Sequence, residues 1–132
     1  MGKSVLLIED EPNIVEAISF LLERDGWTVR LHSNGEGAVQ AVETAQPDVV
    51  VLDVMLPGRS GFDILRELRQ GGAPSDLPIL MLTARGQKKD RELAAGYGAS
   101  HFLTKPFSNA EMLQAVRDLS EGRVPDLGAK AS

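Results

Sequence analysis

The stretch VVVLDVMLPG, residues 49–58, decides how the whole chain is read. Val49 to Leu52 form the unbroken apolar run expected of a strand covered on both faces. That run ends in Asp53. An isolated buried carboxylate is costly, so an acid driven onto the tip of such a strand needs something close by to offset its charge. The residues that follow, Pro57, Gly58, Arg59, Ser60 and Gly61, read as a loop, so Asp53 opens a loop rather than a helix.

Outward from this strand the chain repeats one plan. Ser4 to Ile8 (SVLLI) is a second apolar run, and it meets the acidic triplet Glu9, Asp10 and Glu11. Pro12 suits a first helical turn, and Ile14, Val15, Ile18, Leu21 and Leu22 recur at helical spacing up to Gly26. Trp27 to His32 alternates, with Val29 and Leu31 on one face and Arg30 and His32 on the other, as in a less buried edge strand. Asn34 is placed to cap a second helix through Ala38, Ala41, Val42 and Ala45, ended by Pro47. A third helix uses Phe62, Leu65 and Leu68 and closes at Gly71-Gly72.

Ile79 to Leu82 is a fourth apolar strand ending at Thr83, and Gly86 to Gly96 reads as a helix whose only large apolar residue is Leu93. His101 to Thr104 is a short fifth strand that leads into Lys105-Pro106. Ser108 and Glu111 stand at capping-box spacing before a helix buried through Met112, Leu113, Val116 and Leu119. The expected organisation is one domain over residues 1–120 and a flexible tail over 121–132.

Five strand–helix units with apolar central strands predict an α/β fold: a three-layer (βα)5 doubly wound parallel sheet. Right-handed crossovers bring all five strand ends to one rim, where ligands of such sheets bind.

Composition narrows the function. A chain of 132 residues suits one domain, and 19 acids against 14 bases, net charge −5, argue against sequence-independent nucleic-acid binding. The absence of cysteine excludes disulfides, thiolate catalysis and Cys-ligated zinc, and two histidines are too few for a histidine-rich metal site. No apolar run approaches the roughly 18 residues of a membrane helix, and Met1 to Ser4 lead straight into a strand without a signal peptide. A cytoplasmic protein is expected.

The rim gathers Glu9 and Asp10 from the first strand, Asp53 from the third, Thr83-Ala84 from the fourth and Lys105-Pro106 from the fifth. Each has a plainer reading alone: an acidic helix cap, a solvated aspartate, a capping hydroxyl, a solvated lysine. Together they describe chemistry. Neighbouring carboxylates cannot all stay ionised without a cation, and Mg²⁺ suits a site with few protein oxygens. Mg²⁺, a lysine, a hydroxyl and nearby amides suit a phosphoryl group, with Asp53 as the central nucleophile.

VLLIEDEP (5–12), VVVLDVMLPGRSGFDIL (49–65), ILMLTARG (79–86) and GASHFLTKPFSNAEML (98–113) resemble the receiver domain of two-component response regulators. The resemblance covers about residues 4–119 and implies the flavodoxin-like, CheY-like strand order 2-1-3-4-5. It implies that Asp53 accepts a phosphoryl group from a histidine kinase or histidine phosphotransfer protein. Asp10, Asp53 and the Met55 carbonyl would ligate Mg²⁺, with Glu9 acting through water. Thr83 and the Ala84 amide would bond the phosphoryl oxygens, Lys105 would pair with its charge, and the Lys105–Pro106 bond would be cis. Thr83 and Phe102 would form the switch, with Phe102 where tyrosine is commoner.

On this reading the chain is a switch rather than an enzyme, limited to its own Mg²⁺-dependent phosphotransfer and autodephosphorylation. No DNA-binding output domain is expected after Leu119, so output would be a contact of the fourth helix, fifth strand and fifth helix with a downstream effector protein. Direct nucleic-acid and membrane contacts are not expected. Ser100-His101 replaces an acidic pair, and Ala115 a basic residue, that many dimerising relatives use, which implies a monomer or weak homodimer. Two other classes compete. An aspartate-nucleophile phosphohydrolase would carry a second acid where this chain has Met55, and a flavin module would carry a hydroxyl-rich phosphate loop where it has the acidic triplet.

Overall fold

The computed structural model of the chain describes residues 3–72, 74, 76–84 and 88–123. Its elements are β1 (Ser4–Ile8), α1 (Pro12–Arg24), β2 (Thr28–His32), α2 (Ala38–Ala45), β3 (Val49–Asp53), α3 (Gly61–Glu67), β4 (Ile79–Thr83), α4 (Lys88–Gly96), β5 (His101–Thr104) and α5 (Asn109–Ser120). The five strands form one sheet in the order β2-β1-β3-β4-β5, and every pairing is parallel. This is the flavodoxin-like, CheY-like order that the resemblance implied.

The pleat sends alternate side chains to opposite faces, so each central strand feeds two cores. Leu6, Ile8, Val50, Leu52, Ile79 and Met81 meet α2, α3 and Ala94 of α4 on one face. Val5, Leu7, Val49, Val51, Leu80 and Leu82 meet Ile18 and Leu22 of α1 and Met112, Val116 and Leu119 of α5 on the other. Continuous apolar runs are what two covered faces demand, and every residue of β3 and β4 is buried.

Two local expectations, on Asn34 and Trp27, are corrected. Asn34 does not cap α2: the N-cap is Gly37, with φ 75 and no side-chain cap bond. Leu31 is 55% exposed, in keeping with the edge place expected of β2. Trp27 is not the first strand residue: it is buried just before β2, which begins at Thr28. The buried residue of α4 is Ala94, with Leu93 only half-buried.

After α3 the chain adds a π-helical turn, Leu68–Gly72, ended by Gly71 at φ 142. Ser108 and Glu111 form the full capping box of α5, each side chain bonding the other's backbone N–H. The expected start of the fourth helix at Gly86, and residues 124–132 of the expected tail, lie outside the described residues.

Candidate functional site

Strand register assembles the rim. Ile8 pairs with Leu52 and Asp53 with Leu82, so Glu9 comes level with Asp53 one step beyond the β1–β3 ladder. The Glu9 amide continues β1 by donating to the His32 carbonyl at 3.1 Å. Thr83 pairs with Thr104, and the Lys105 amide donates to the Thr83 carbonyl at 2.7 Å, which carries Lys105 to the same rim. The Lys105–Pro106 peptide is cis.

Glu9, Asp10 and Asp53 each bring one carboxylate oxygen to within 4.8 Å of the others. Glu9 is 1% and Asp53 3% exposed, whereas Asp10 faces solvent. Strands lie about 4.8 Å apart, so a residue on β5 must reach back over β4 to touch β3. Lys105 does so: its Nζ stands 3.4 Å from Asp53 Oδ1 and 3.1 Å from Glu9 Oε1. It also donates to Glu9 Oε2 at 3.4 Å, and that oxygen accepts the Glu11 amide at 3.2 Å. Glu9 Oε1 is buried and accepts no hydrogen bond, and its charge is met by the Lys105 ammonium as an ion pair.

One ammonium thus faces two buried carboxylates, with a third carboxylate clustered beside them. Burial pushes the Glu9 carboxyl above the usual range, and the Asp53 charge adds to the rise, against opposition from Lys105. Burial likewise raises Asp53, although Lys105 and the Met55 amide bonded to its carboxylate pull the other way. Burial alone would lower Lys105, but the two acids outweigh it and hold the ammonium above its ordinary value. A hard divalent cation would relieve this imbalance, and the donor set fits one: clustered carboxylate oxygens, one of them buried with no hydrogen bond and only the Lys105 ion pair beside it.

Thr83 is 4% exposed and directly follows Leu82, the residue paired with Asp53. Ala84 is exposed just beyond it. Met55, 66% exposed, lines an open cavity with Asp10 and residues 54–60. Phe102 is not at the rim: it is buried opposite Met81 of β4, with the Arg91 guanidinium 6.0 Å from its ring. Sequence reasoning missed Gly61, the first residue of α3. A Cβ there would collide with the Asp53 carbonyl, and its amide donates to the Val54 carbonyl at 2.8 Å. A serine–glycine pair signals only a turn, so nothing in the sequence announced this contact.

Residues 5–117 match the family described as the response regulator receiver domain. The chain belongs to that family. The receiver is 42% identical over 117 residues to the alkaline phosphatase synthesis transcriptional regulatory protein PhoP of Bacillus subtilis, covering 89% of this chain. It spans about half, 48%, of that relative's length. Among solved structures it is similar to the receiver domain of a sensor histidine kinase from Pseudomonas aeruginosa, with TM-score 0.83 and 31% identity, covering 92% of this chain and 99% of that one. That structure has a magnesium ion coordinated in its active site cleft. A chemotaxis response regulator of Vibrio cholerae aligns with TM-score 0.84 and 27% identity, over 90% of this chain and 99% of that one.

Receivers of this family are regulatory phosphoacceptor switches of two-component systems rather than enzymes in the ordinary sense, and they bind Mg²⁺ at an acidic pocket. No helix among the described residues is long and apolar enough to cross a membrane.

Proposed function

We propose that this receiver takes a phosphoryl group onto Asp53 from the phosphohistidine of a histidine kinase or histidine phosphotransfer protein. The observation that carries the assignment is the clustering of the Glu9, Asp10 and Asp53 carboxylates, with the Lys105 ammonium against Glu9 and Asp53. Asp10, Asp53 and the Met55 carbonyl are the ligands for Mg²⁺, with Glu9 acting through water. Bound there, the cation supplies neutralisation of charge on the transferring group.

An Asp53 carboxylate oxygen attacks phosphorus. The new P–O bond forms as the P–N bond to imidazole breaks, the bonding pair returns to the ring nitrogen, and an acyl phosphate remains. The Thr83 hydroxyl and the Ala84 amide hold the phosphoryl oxygens, and Lys105 exchanges its contact with Asp53 for the new charge. Autodephosphorylation is attack by water on the same phosphorus, which returns the carboxylate and releases phosphate.

The phosphoryl group adds nearly two negative charges, enough to bias a conformational equilibrium. Thr83 is drawn inward, the segment after β4 follows, and Phe102 is favoured in the buried place it occupies here. The output is a contact of the α4-β5-α5 face with a downstream effector protein. Residues 1–120 form the receiver, a cytoplasmic monomer or weak homodimer that touches neither nucleic acid nor membrane directly.

Intact-mass measurement after incubation with a small-molecule phosphodonor tests the assignment. A single phosphoryl adduct should appear on the wild type with Mg²⁺, and none on Asp53→Asn or in chelator. An equal adduct on the variant would overturn it.

A further inference from the structure

Two loops that carry no charged member of the site lock together beside it. The Gly35 amide, between β2 and α2, donates to the Pro57 carbonyl, between β3 and α3, at 2.8 Å. Gly35 is buried, and a Cβ on it would lie 2.6 Å from both the backbone N and the backbone O of Arg59. Neither atom can swing aside as a side chain would. From the other direction, Gly58 at φ +88 faces Glu36, whose Cγ would stand 2.8 Å from a Cβ on that glycine. Each loop therefore presents a bare glycine to the other.

The loop after β3 is fixed at three points. The Gly61 amide holds the Val54 carbonyl, the Gly35 amide holds the Pro57 carbonyl, and the Arg59 backbone rests on Gly35. Met55 lies between the first two points, and its amide bonds the Asp53 carboxylate. Where its carbonyl stands is therefore set by the β2–α2 loop as well as by its own strand.

We infer that Gly35 is a positioning residue for the acidic site, acting through the Pro57–Arg59 backbone to hold Met55 in place for Asp53 and the cation. This rests on the assignment of the Met55 carbonyl as a Mg²⁺ ligand. A Cβ at position 35 displaces the 55–59 backbone and loosens the cation without touching any carboxylate. Partners that orient metal ligands characteristically change affinity by tenfold or more.

Backbone amide NMR with a Mg²⁺ titration tests this on the wild type, Gly35→Ala, and Val42→Ala, a core truncation on α2. The wild type should bind, with the Gly35 and Met55 amides shifting along one binding curve. Gly35→Ala should bind about tenfold more weakly with a displaced Met55 amide, while Val42→Ala loses stability and keeps wild-type affinity. Failure of the wild type to bind would sink the assignment of the cation site itself. Wild-type binding with unchanged affinity in Gly35→Ala would overturn the role of Gly35 alone. If Gly35→Ala does not fold, the wild-type titration decides: a Gly35 amide that moves with Met55 supports the role, and a silent one rejects it.

Discussion

The two ends of the sheet both carry an acid beside a base, and they treat it in opposite ways. At the carboxyl end, Glu9 and Asp53 are buried against Lys105, and both acids are pushed above the usual range. At the amino end, Asp25 follows α1 and receives a two-pronged contact from Arg117 of α5, with Nε at 3.1 Å, and the Trp27 indole N–H at 3.2 Å. Hydrogen bonds from Arg117 hold that carboxyl below its usual range, more than offsetting its burial.

The difference lies in arithmetic and solvent. The amino end pairs one carboxylate with one guanidinium and leaves water access, with side chains 21% and 47% exposed. The carboxyl end crowds three carboxylates together and sets one ammonium against the two that are sealed from water. One end joins two helices; the other holds destabilising charge that a cation or a phosphoryl group can act upon.

The contrast can be broken most forcibly at Lys105. Lys105→Ala leaves two buried acids unpaired and should lower unfolding free energy by about 3 kcal/mol in magnesium-free buffer at neutral pH. Saturating Mg²⁺ should restore most of the loss. Urea denaturation in both buffers measures it, and an equal loss with and without Mg²⁺ would show that the lysine serves only packing.

Acid titration should separate the two ends by sign. A carboxyl whose folded pKa is raised contributes stability that is complete below its unfolded pKa and lost as pH rises through the folded value. Without Mg²⁺, Glu9 and Asp53 should therefore erode stability upward from about pH 4. Asp25, whose folded pKa is depressed, contributes stability above its unfolded pKa that disappears as pH falls through the folded value. Melting temperature against pH should thus flatten on its upper limb in Asp53→Asn and on its lower limb in Asp25→Asn. A shared limb would erase the distinction.

The smallest effect belongs to Arg117→Ala. An exposed pair contributes little, so the denaturation midpoint should fall slightly. Mg²⁺ affinity should not change, since Arg117, near the C-terminal end of α5, bonds Asp25 at the sheet end remote from the acids. Calorimetric titration that found weaker Mg²⁺ binding in this variant would show the two ends to be coupled.

How much of this was legible in the sequence follows from what each residue answers to. β3 and β4 were legible because two covered faces leave no choice of residue, and the rim followed because parallel strands must all end on one side. The α5 capping box was legible because both its bonds span three residues.

Asn34 misled because a capping residue is also an ordinary loop residue, and the β2–α2 loop is shaped instead by residues 57–59, more than 20 positions away. At the site, the identities of Glu9, Asp10, Asp53 and Lys105 stood in the sequence. Their unequal burial and the supporting glycines 35 and 61 did not, since a glycine gives no sign of what presses against it.

The rim acids are held together at a cost which a divalent cation removes. Thermal unfolding of the wild type and Asp53→Asn across a Mg²⁺ titration tests it most directly. Without Mg²⁺ the variant should be the more stable by about 2 kcal/mol, and added Mg²⁺ should raise the wild type further than the variant until the gap closes. Equal stability without the ion, or the same Mg²⁺ response in both proteins, would contradict it.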